Sequence, residues 1–177
     1  MSIVLITGSC GLVGSESVKF FCKKGFDVIG IDNNSRKFFF GKDGDISWVK
    51  KNLLKSNKNY FHKNIDIRNY YALEKIFKKY RKNIKLIIHS AAQPSHDWAK
   101  QKPIIDFNIN ALGTLNLLEL TKKFCKNSAF IFMSTNKVYG DRPNFLPMSE
   151  KRKRYELKPN NKFYHNGIDE SMSVDDC

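Results

Sequence analysis

Cysteine is scarce and carries no pattern. The four cysteines, Cys10, Cys22, Cys125 and Cys177, show no framework spacing, which argues against a disulfide-stapled scaffold and leaves free thiols as the expectation. Long apolar runs are missing too; none approaches the roughly 20 residues of a membrane-spanning helix. The opening MSIVLIT has no basic leader and runs straight into glycines, so no signal peptide is expected and the cytoplasm is the expected compartment. Histidine is rare, and His62, His89, His96 and His165 stand at no metal-ligand spacing from Cys, Asp or Glu, so no metal site is expected. Acidic residues are short, 17 against 31 basic, giving a net charge of +14 and a pI near 9.6. That excess invites a nucleic-acid reading, but arginine is nearly absent from it, 6 against 25 lysines. Readers of phosphate and base edges favour the arginine fork, and these lysines are scattered over helix faces. No nucleic-acid partner is expected. The one dense basic cluster, Lys151 to Arg154, reads as a solvated loop.

Apolar residues are plentiful: 41% of the chain is hydrophobic and 14 residues are phenylalanine, which excludes a wholly disordered chain. A chain of 177 residues can bury about 70% of its unfolded surface and needs no staple. Ser2 to Thr7 is a continuous apolar run, the mark of a strand buried on both faces. Val13 to Lys24 reads as a helix with Val18, Phe21 and Cys22 inward, and Gly25 stops it. Phe26 to Asp32 is a second strand. A polar insertion, Asn33 to Asn59, carries a short helix at Ile46 to Lys55. Tyr60 to Asn64, Lys85 to Ser90 and Ala129 to Ser134 read as three more strands. Between them lie a helix at Asn69 to Tyr80, with Leu73, Ile76 and Phe77 inward, and a long helix at Ile104 to Lys126. The inward set predicted for the latter is Ile105, Ile109, Leu112, Leu115 and Leu118. This alternation predicts an α/β fold with a doubly wound parallel sheet over residues 1–140. Residues 141–177, with Pro143, Pro147 and Pro159 and few aliphatics, read as a largely irregular segment with no packed element of its own.

The first strand runs into Gly8-x-x-Gly11-x-x-Gly14. Gly8 suits a tight turn, Gly11 a close approach of backbone to a pyrophosphate, and Gly14 close helix packing; free N–H groups at the helix start then face the anion. A glycine triplet alone is weak. Here it follows a strand, precedes a helix, and is followed 18 residues after Gly14 by Asp32 at the end of the next strand. Asp32 would accept from both adenosine ribose hydroxyls and repel a 2′-phosphate, favouring NAD over NADP, with Arg36 leaving that choice open. A glycine turn serving packing alone and a methyltransferase loop remain as alternatives. A phosphate-loop NTPase does not, because no Gly-Lys-Ser/Thr follows.

TGSCGLVG (Thr7 to Gly14) resembles the fingerprint of the extended short-chain dehydrogenase/reductases, the NAD-dependent nucleotide-sugar epimerase and dehydratase group with a Rossmann-like NAD-binding domain. DNNSR (Asp32 to Arg36), DIR (Asp66 to Arg68), HSAAQPSHDWA (His89 to Ala99), NINALGTLNLLE (Asn108 to Glu119), STNKVYGD (Ser134 to Asp141) and NGIDESMS (Asn166 to Ser173) narrow it. Together they are similar to the CDP-paratose 2-epimerase branch, and to its first half only. The resemblance implies that Gly8, Gly11 and Gly14 cradle the NAD pyrophosphate. It implies that Asp32, Asn33, Ser35 and Arg36 hold the adenosine ribose, and that Asp66 and Ile67 flank the adenine. Ala91, Ala92 and Gln93 would line the nicotinamide ribose side, and Asn110, counted with the cofactor-binding residues, would brace the central helix and its neighbouring strand. Thr135 would be the catalytic hydroxyl, with Ser134, Asn136 and Lys137 shaping the substrate pocket and His96 touching substrate. The substrate implied is a nucleotide sugar of the CDP-hexose class, oxidised and re-reduced at C2; a sibling acting on another nucleotide-linked hexose is the alternative.

One feature of the family is missing. Its Tyr-x-x-x-Lys pair has no match between Gly140 and Cys177: Tyr155 meets Lys158 at the wrong spacing, and Tyr164 has Ile168 four residues on. Tyr71 and Lys75 match by spacing but fall on the helix after the third strand, where ordinary helix surface is expected. The expectation is an N-terminal fragment, inactive alone, lacking the C-terminal substrate domain, with the family's homo-oligomer interface compromised. An isomerase completed by another polypeptide, a noncatalytic dinucleotide-binding module and a basic nucleic-acid binder are the three classes left open.

Overall fold

A computed structural model describes residues 2–135 and 137–174. They fall into two compact units, Met1–Met133 and Ser134–Cys177.

The first unit is an α/β sandwich. Five parallel strands, β1 (Ile3–Thr7), β2 (Asp27–Ile31), β3 (Tyr60–Lys63), β4 (Ile84–His89) and β5 (Ala129–Phe132), lie in the order β3-β2-β1-β4-β5. The chain order reverses between β1 and β4, and such a switch point opens a crevice beyond the carboxyl ends of the strands. Central β1 is buried at all five positions, which is why its sequence shows no alternation. Its side chains divide between two cores. Ile3 and Leu5 join Ile29, Ile31, Leu73, Phe77, Leu117 and Leu120 on one face, while Val4 and Ile6 join Val18, Cys22, Val28 and Leu53 on the other. The flanking helices are α1 (Leu12–Lys23), α2 (Ser35–Phe40), α3 (Ser47–Ser56), α4 (Tyr70–Tyr80), α5 (His96–Gln101), α6 (Pro103–Phe107) and α7 (Gly113–Phe124). Among the described residues no helix is long and apolar enough to cross a membrane.

Three expectations change. The long helix is interrupted: a π-helical turn at Asn108–Leu112 joins α6 to α7. Its inward face also differs. Ile109 is buried, but Leu112, Leu115 and Leu118 are exposed at 38%, 53% and 45%. The side facing the core carries Gly113, Asn116, Leu117, Leu120 and Thr121 instead. The helix has apolar residues on two faces, and backbone fit decides between them. A Cβ on Gly113 would meet Ile67 Cδ1 at 2.6 Å, and Asn116 Nδ2 donates to the carbonyls of Ile67 and Arg68. Third, the 141–177 segment is not wholly irregular: β6 (Met148–Lys151) and β7 (Arg154–Leu157) form an antiparallel hairpin. Lys151 pairs with Arg154, and Arg152-Lys153 make the exposed turn. Backbone pairing with little apolar alternation leaves such a hairpin faint in sequence. Among the described residues, Phe163 and Met172 are the buried apolar residues of this second unit.

Candidate functional site

The crevice end of β1 is built from backbone. Gly8 takes φ +64°, and a Cβ there would meet the Ser90 carbonyl and the Ala91 nitrogen at 2.8 Å. Gly11 N–H donates to Gly8 O at 2.9 Å, folding the turn back on itself. A Cβ on Gly14 would stand 2.0 Å from Gly8 O. Gly14 therefore lets α1 press against the turn itself. Helix α1 has Gly11 at its N-cap, with no side-chain cap and no acidic residue in its first turn. Its positive end is left to an anion. A concave turn that no side chain can fill, beside uncapped amides, fits a diphosphate.

Asp32 faces this turn from the end of β2. Its Oδ2 accepts from Cys10 N–H at 2.9 Å and its Oδ1 from Asn34 N–H at 2.8 Å. The carboxylate is locked in place, with a lone pair on each oxygen left over. Asn34 sits in the left-handed region at φ 58° and starts α2. Asn33 links two predicted ribose and adenine groups: its Nδ2 donates to Asp66 Oδ2 at 3.1 Å, and its Oδ1 accepts from Ser35 Oγ at 2.6 Å. Asp66 also takes a bidentate grip from Arg68, 3.0 Å from Nε and 2.6 Å from Nη2. Partial burial works to raise the Asp66 pKa, but the Arg68 bonds outweigh it and hold the carboxyl below the usual range. Ile67 is buried against Gly113. Arg36 is exposed, its guanidinium 4.9 Å from the Phe40 ring centroid.

On the other side of the turn, a hydrogen-bonded chain fixes the loop after β4. Thr114 Oγ1 donates to Asn110 O at 2.6 Å, so it accepts from His89 Nε2–H at 2.9 Å. His89 Nδ1 then accepts from the Thr7 hydroxyl at 2.7 Å, and Thr7 Oγ1 accepts from Ala91 N–H at 3.3 Å. Burial lowers the His89 pKa to about 4, so the ring is neutral at pH 7, as this relay requires. Asn110 clasps the Gln93 backbone in both directions, at 2.9 and 3.1 Å. Gln93 is itself 4% exposed, with its amide engaged by Ser95 and Asp106. Gln93 and Asn110 thus shape the loop, while Ala92 is the exposed member of the predicted trio.

His96 is exposed at the start of α5. Ser134 and Thr135 are exposed and belong to the second unit. Lys137 opens a 3-10 turn, Lys137–Tyr139; Asn136 lies outside the described residues. Tyr71 is 76% exposed on α4. Among the described residues no cluster of His, Cys, Asp and Glu could hold a metal ion.

Two features escaped the sequence. Beneath the turn, Ser9 Oγ meets Tyr60 Oη at 3.0 Å, and Tyr60 Oη meets His62 Nδ1 at 3.1 Å. Gly30 makes room, since a Cβ there would lie 2.4 Å from the Tyr60 ring. Burial and the Asp32 charge push the nearby Cys10 thiol up, which makes it inert. Between α5 and α2, Trp98 Nε1–H donates to Phe39 O at 3.0 Å. Neither pairing has a spacing signature; both join residues more than fifty positions apart.

A family model described as GDP-mannose 4,6 dehydratase matches residues 5–163. CDP-paratose 2-epimerase of Salmonella typhi is 37% identical over 174 residues, covering 97% of this chain and 46% of its own. UDP-glucuronate 4-epimerase of Thermodesulfobacterium geofontis is 34% identical, covering 82% of this chain and 43% of its own. Among solved structures, UDP-glucose 4-epimerase of Thermotoga maritima with UDP-glucose superposes at TM-score 0.59 and 28% identity, over 77% of this chain and 38% of that one. The Thermus thermophilus UDP-glucose 4-epimerase complex with NAD superposes at TM-score 0.63 over 98% of this chain and 44% of that one. At 23% identity this last likeness speaks for the fold. The chain spans a little under half the length of these relatives.

Proposed function

Because the chain belongs to the GDP-mannose 4,6 dehydratase family of NAD-dependent epimerases and dehydratases, we propose that it is the dinucleotide-holding half of a nucleotide-sugar epimerase. The observation that carries this reading is the turn at Gly8, Gly11 and Gly14, where a Cβ on Gly8 or Gly14 would strike backbone and which faces a carboxylate locked by Cys10 and Asn34. The diphosphate of NAD rests on that turn and on the amides of α1. Asp32, with Asn33 and Ser35, takes the adenosine ribose. A fixed carboxylate there disfavours a 2′-phosphate, and Arg36, parked on Phe40, does not offset it. Asp66 and Ile67 border the adenine. Ala91 and Ala92 border the nicotinamide ribose in a loop held by Gln93 and Asn110. When bound, NAD supplies a place for a hydride to be held and returned.

The finer reading is an epimerase of the CDP-hexose class working at sugar C2, supported by the likeness to CDP-paratose 2-epimerase. Thr135 would bond the hydroxyl being oxidised, with Ser134, Asn136 and Lys137 shaping the substrate pocket, and His96 would touch substrate. Removing that proton needs a tyrosine with a lowered pKa. No Tyr-x-x-x-Lys stands between Gly140 and Cys177, so these 177 residues bind the dinucleotide without turning over a sugar. We place the chain in the cytoplasm, where the buried Cys10, Cys22 and Cys125 stay free thiols.

The test is a fluorescence titration of the 177-residue chain with NADH and NADPH. Saturable binding with preference for NADH is expected. Gly14→Val should weaken it at least about a hundredfold, because a backbone carbonyl cannot yield. Failure of the unaltered chain to bind either coenzyme, or turnover of a CDP-hexose by the chain alone, would sink the reading.

A further inference from the structure

Among the described residues two that are not glycine take a positive φ, and one of them, Asn34, bonds Asp32. At φ 58° and ψ 31° it lies in the left-handed region, which asparagine tolerates but which surrounding contacts must hold. In that conformation the Asn34 N–H donates to Asp32 Oδ1 at 2.8 Å.

The contacts that hold it come from the insertion between β2 and β3. Asn34 Nδ2 donates to Asp45 Oδ1 at 2.9 Å and to Ser47 Oγ at 3.2 Å, and Asn34 Oδ1 accepts from Ile46 N–H at 3.2 Å. Asp45 is fixed in turn. Its Oδ1 accepts from Ser47 N–H at 2.9 Å and from Ser47 Oγ at 2.6 Å, and its Oδ2 pairs with Lys37 Nζ at 2.9 Å. The Ser47 and Lys37 bonds hold the Asp45 carboxyl well below the usual carboxylate range, so it is ionised at pH 7. Gly44 lets the insertion close on α2, since a Cβ there would stand 2.4 Å from Arg36 O. Both ends of the Asn34 side chain are thus taken up by the insertion, and its backbone N–H alone serves Asp32. No residue of α2 is buried, so polar bonds hold the exit from β2 where a core does not.

We propose that Asp45 is a positioning residue for coenzyme choice: through Asn34 it fixes the Asp32 carboxylate in the orientation that takes a ribose 2′-hydroxyl and repels a 2′-phosphate. The proposal rests on the NAD reading above. Cys10 N–H holds the other oxygen of Asp32, and one bond by itself lets a carboxylate turn. Once Asn34 is released, Asp32 swings off the ribose. NADH then loses charge-assisted hydrogen bonds, while NADPH is relieved of a repulsion. The two coenzymes respond in opposite senses, whereas loss of folded protein weakens both alike.

Fluorescence titrations with NADH and NADPH read the ratio of the two Kd values, with a thermal melt on each variant. Asp45→Ala removes the acceptor that holds Asn34, and the preference for NADH should fall about tenfold. Asn34→Gly accepts the left-handed backbone and deletes the clasp, and should lower the preference by about as much. Asp45→Asn keeps an acceptor oxygen for Asn34 and Ser47, and should hold the preference within about twofold. A preference unmoved in Asp45→Ala and Asn34→Gly refutes the positioning role while NAD binding stands, and so does a full loss in Asp45→Asn. Equal affinity of the unaltered chain for both coenzymes refutes it as well. If the unaltered chain binds neither, the NAD reading falls and takes this proposal with it. Asn34→Gly decides the matter should Asp45→Ala melt early.

Discussion

The two units of this chain present their candidate groups in opposite ways. In the first, the candidate groups are backbone atoms: a turn of glycines, the amides of α1, and the Cys10 and Asn34 N–H groups on Asp32. They are held by a sheet whose central strand is wholly buried. In the second, the candidate groups are side chains, Ser134 and Thr135 among them, on segments whose buried apolar residues are Phe163 and Met172. A backbone site needs a rigid frame around it. A side-chain site on loops needs its frame supplied by whatever packs against it. The contrast predicts that damage to the first core travels to the cradle and damage to the second does not.

The largest effect sharpens this directly. Phe77 is fully buried among Ile29, Leu73 and Leu117. Phe77→Ala should cost about 3–5 kcal/mol of stability, and cradle binding should fall with it as the folded fraction drops. Both tryptophans, Trp48 and Trp98, lie in the first unit, so their fluorescence in a urea titration reports that unit. Phe163→Ala should shift the same signal by less than about 0.5 kcal/mol. A comparable shift from both substitutions would show one cooperative body and break the comparison.

The fold of the first unit was legible because buried parallel strands read as unbroken apolar runs. Val18, Leu73, Ile76 and Phe77 also fall on their helices at the predicted inward positions. The glycines and Asp32 were legible because a strand, a turn and a helix bracket them. What holds Asp32 was not, since a backbone N–H leaves no mark on residue type. Leu112, Leu115 and Leu118 misled because periodicity finds an apolar stripe without saying which of two stripes faces the sheet. The inward face is set by Gly113 and Asn116, a small and a polar residue that hydrophobic patterning ignores. Helices α2 and α5 are six residues each, too short to show a period. The bonds that tie Asn110 to the Gln93 backbone, and both side chains to Asp106, join residues 17, 13 and 4 positions apart and leave no spacing signature.

A second prediction uses pH to separate the units. His89, 2% exposed, is held neutral by burial, with a pKa near 4 against an ordinary value of 6.5. Between those values the unfolded chain binds the extra proton and the folded chain does not. Stability is thus full above about pH 6.5 and declines as pH falls toward 4, by about 3 kcal/mol from this group. Burial and the Lys50 charge lower the His62 pKa as well, and it acts in the same direction. The carboxyls held low by their partners, Asp45, Asp66, Glu74 and Asp169, contribute mainly at still lower pH. Tryptophan-reported urea unfolding at pH 7.5 and 4.5 should show the loss, and His89→Gln should flatten most of it. An unchanged slope in that variant would mean the relay through Thr7 and Thr114 is not what ties stability to protons.

The smallest effect tests the second unit on its own terms. Tyr139 belongs to the VYG motif, and its hydroxyl donates to the Asp169 carbonyl at 3.0 Å in an exposed setting. Water can replace an exposed bond of this kind, so Tyr139→Phe should cost less than about 0.5 kcal/mol. The ring keeps its place, and only the tie between the 3-10 turn and the NGIDE segment is cut. Amide hydrogen exchange should quicken around Asp169 to Ser171, where Asp169 also accepts from Ser171 N–H, and stay unchanged across β1 to β5. NADH binding should not move. A weakened cradle in this variant would give the tyrosine a part in cofactor binding, and the division between a backbone site and a side-chain segment would have to be redrawn there.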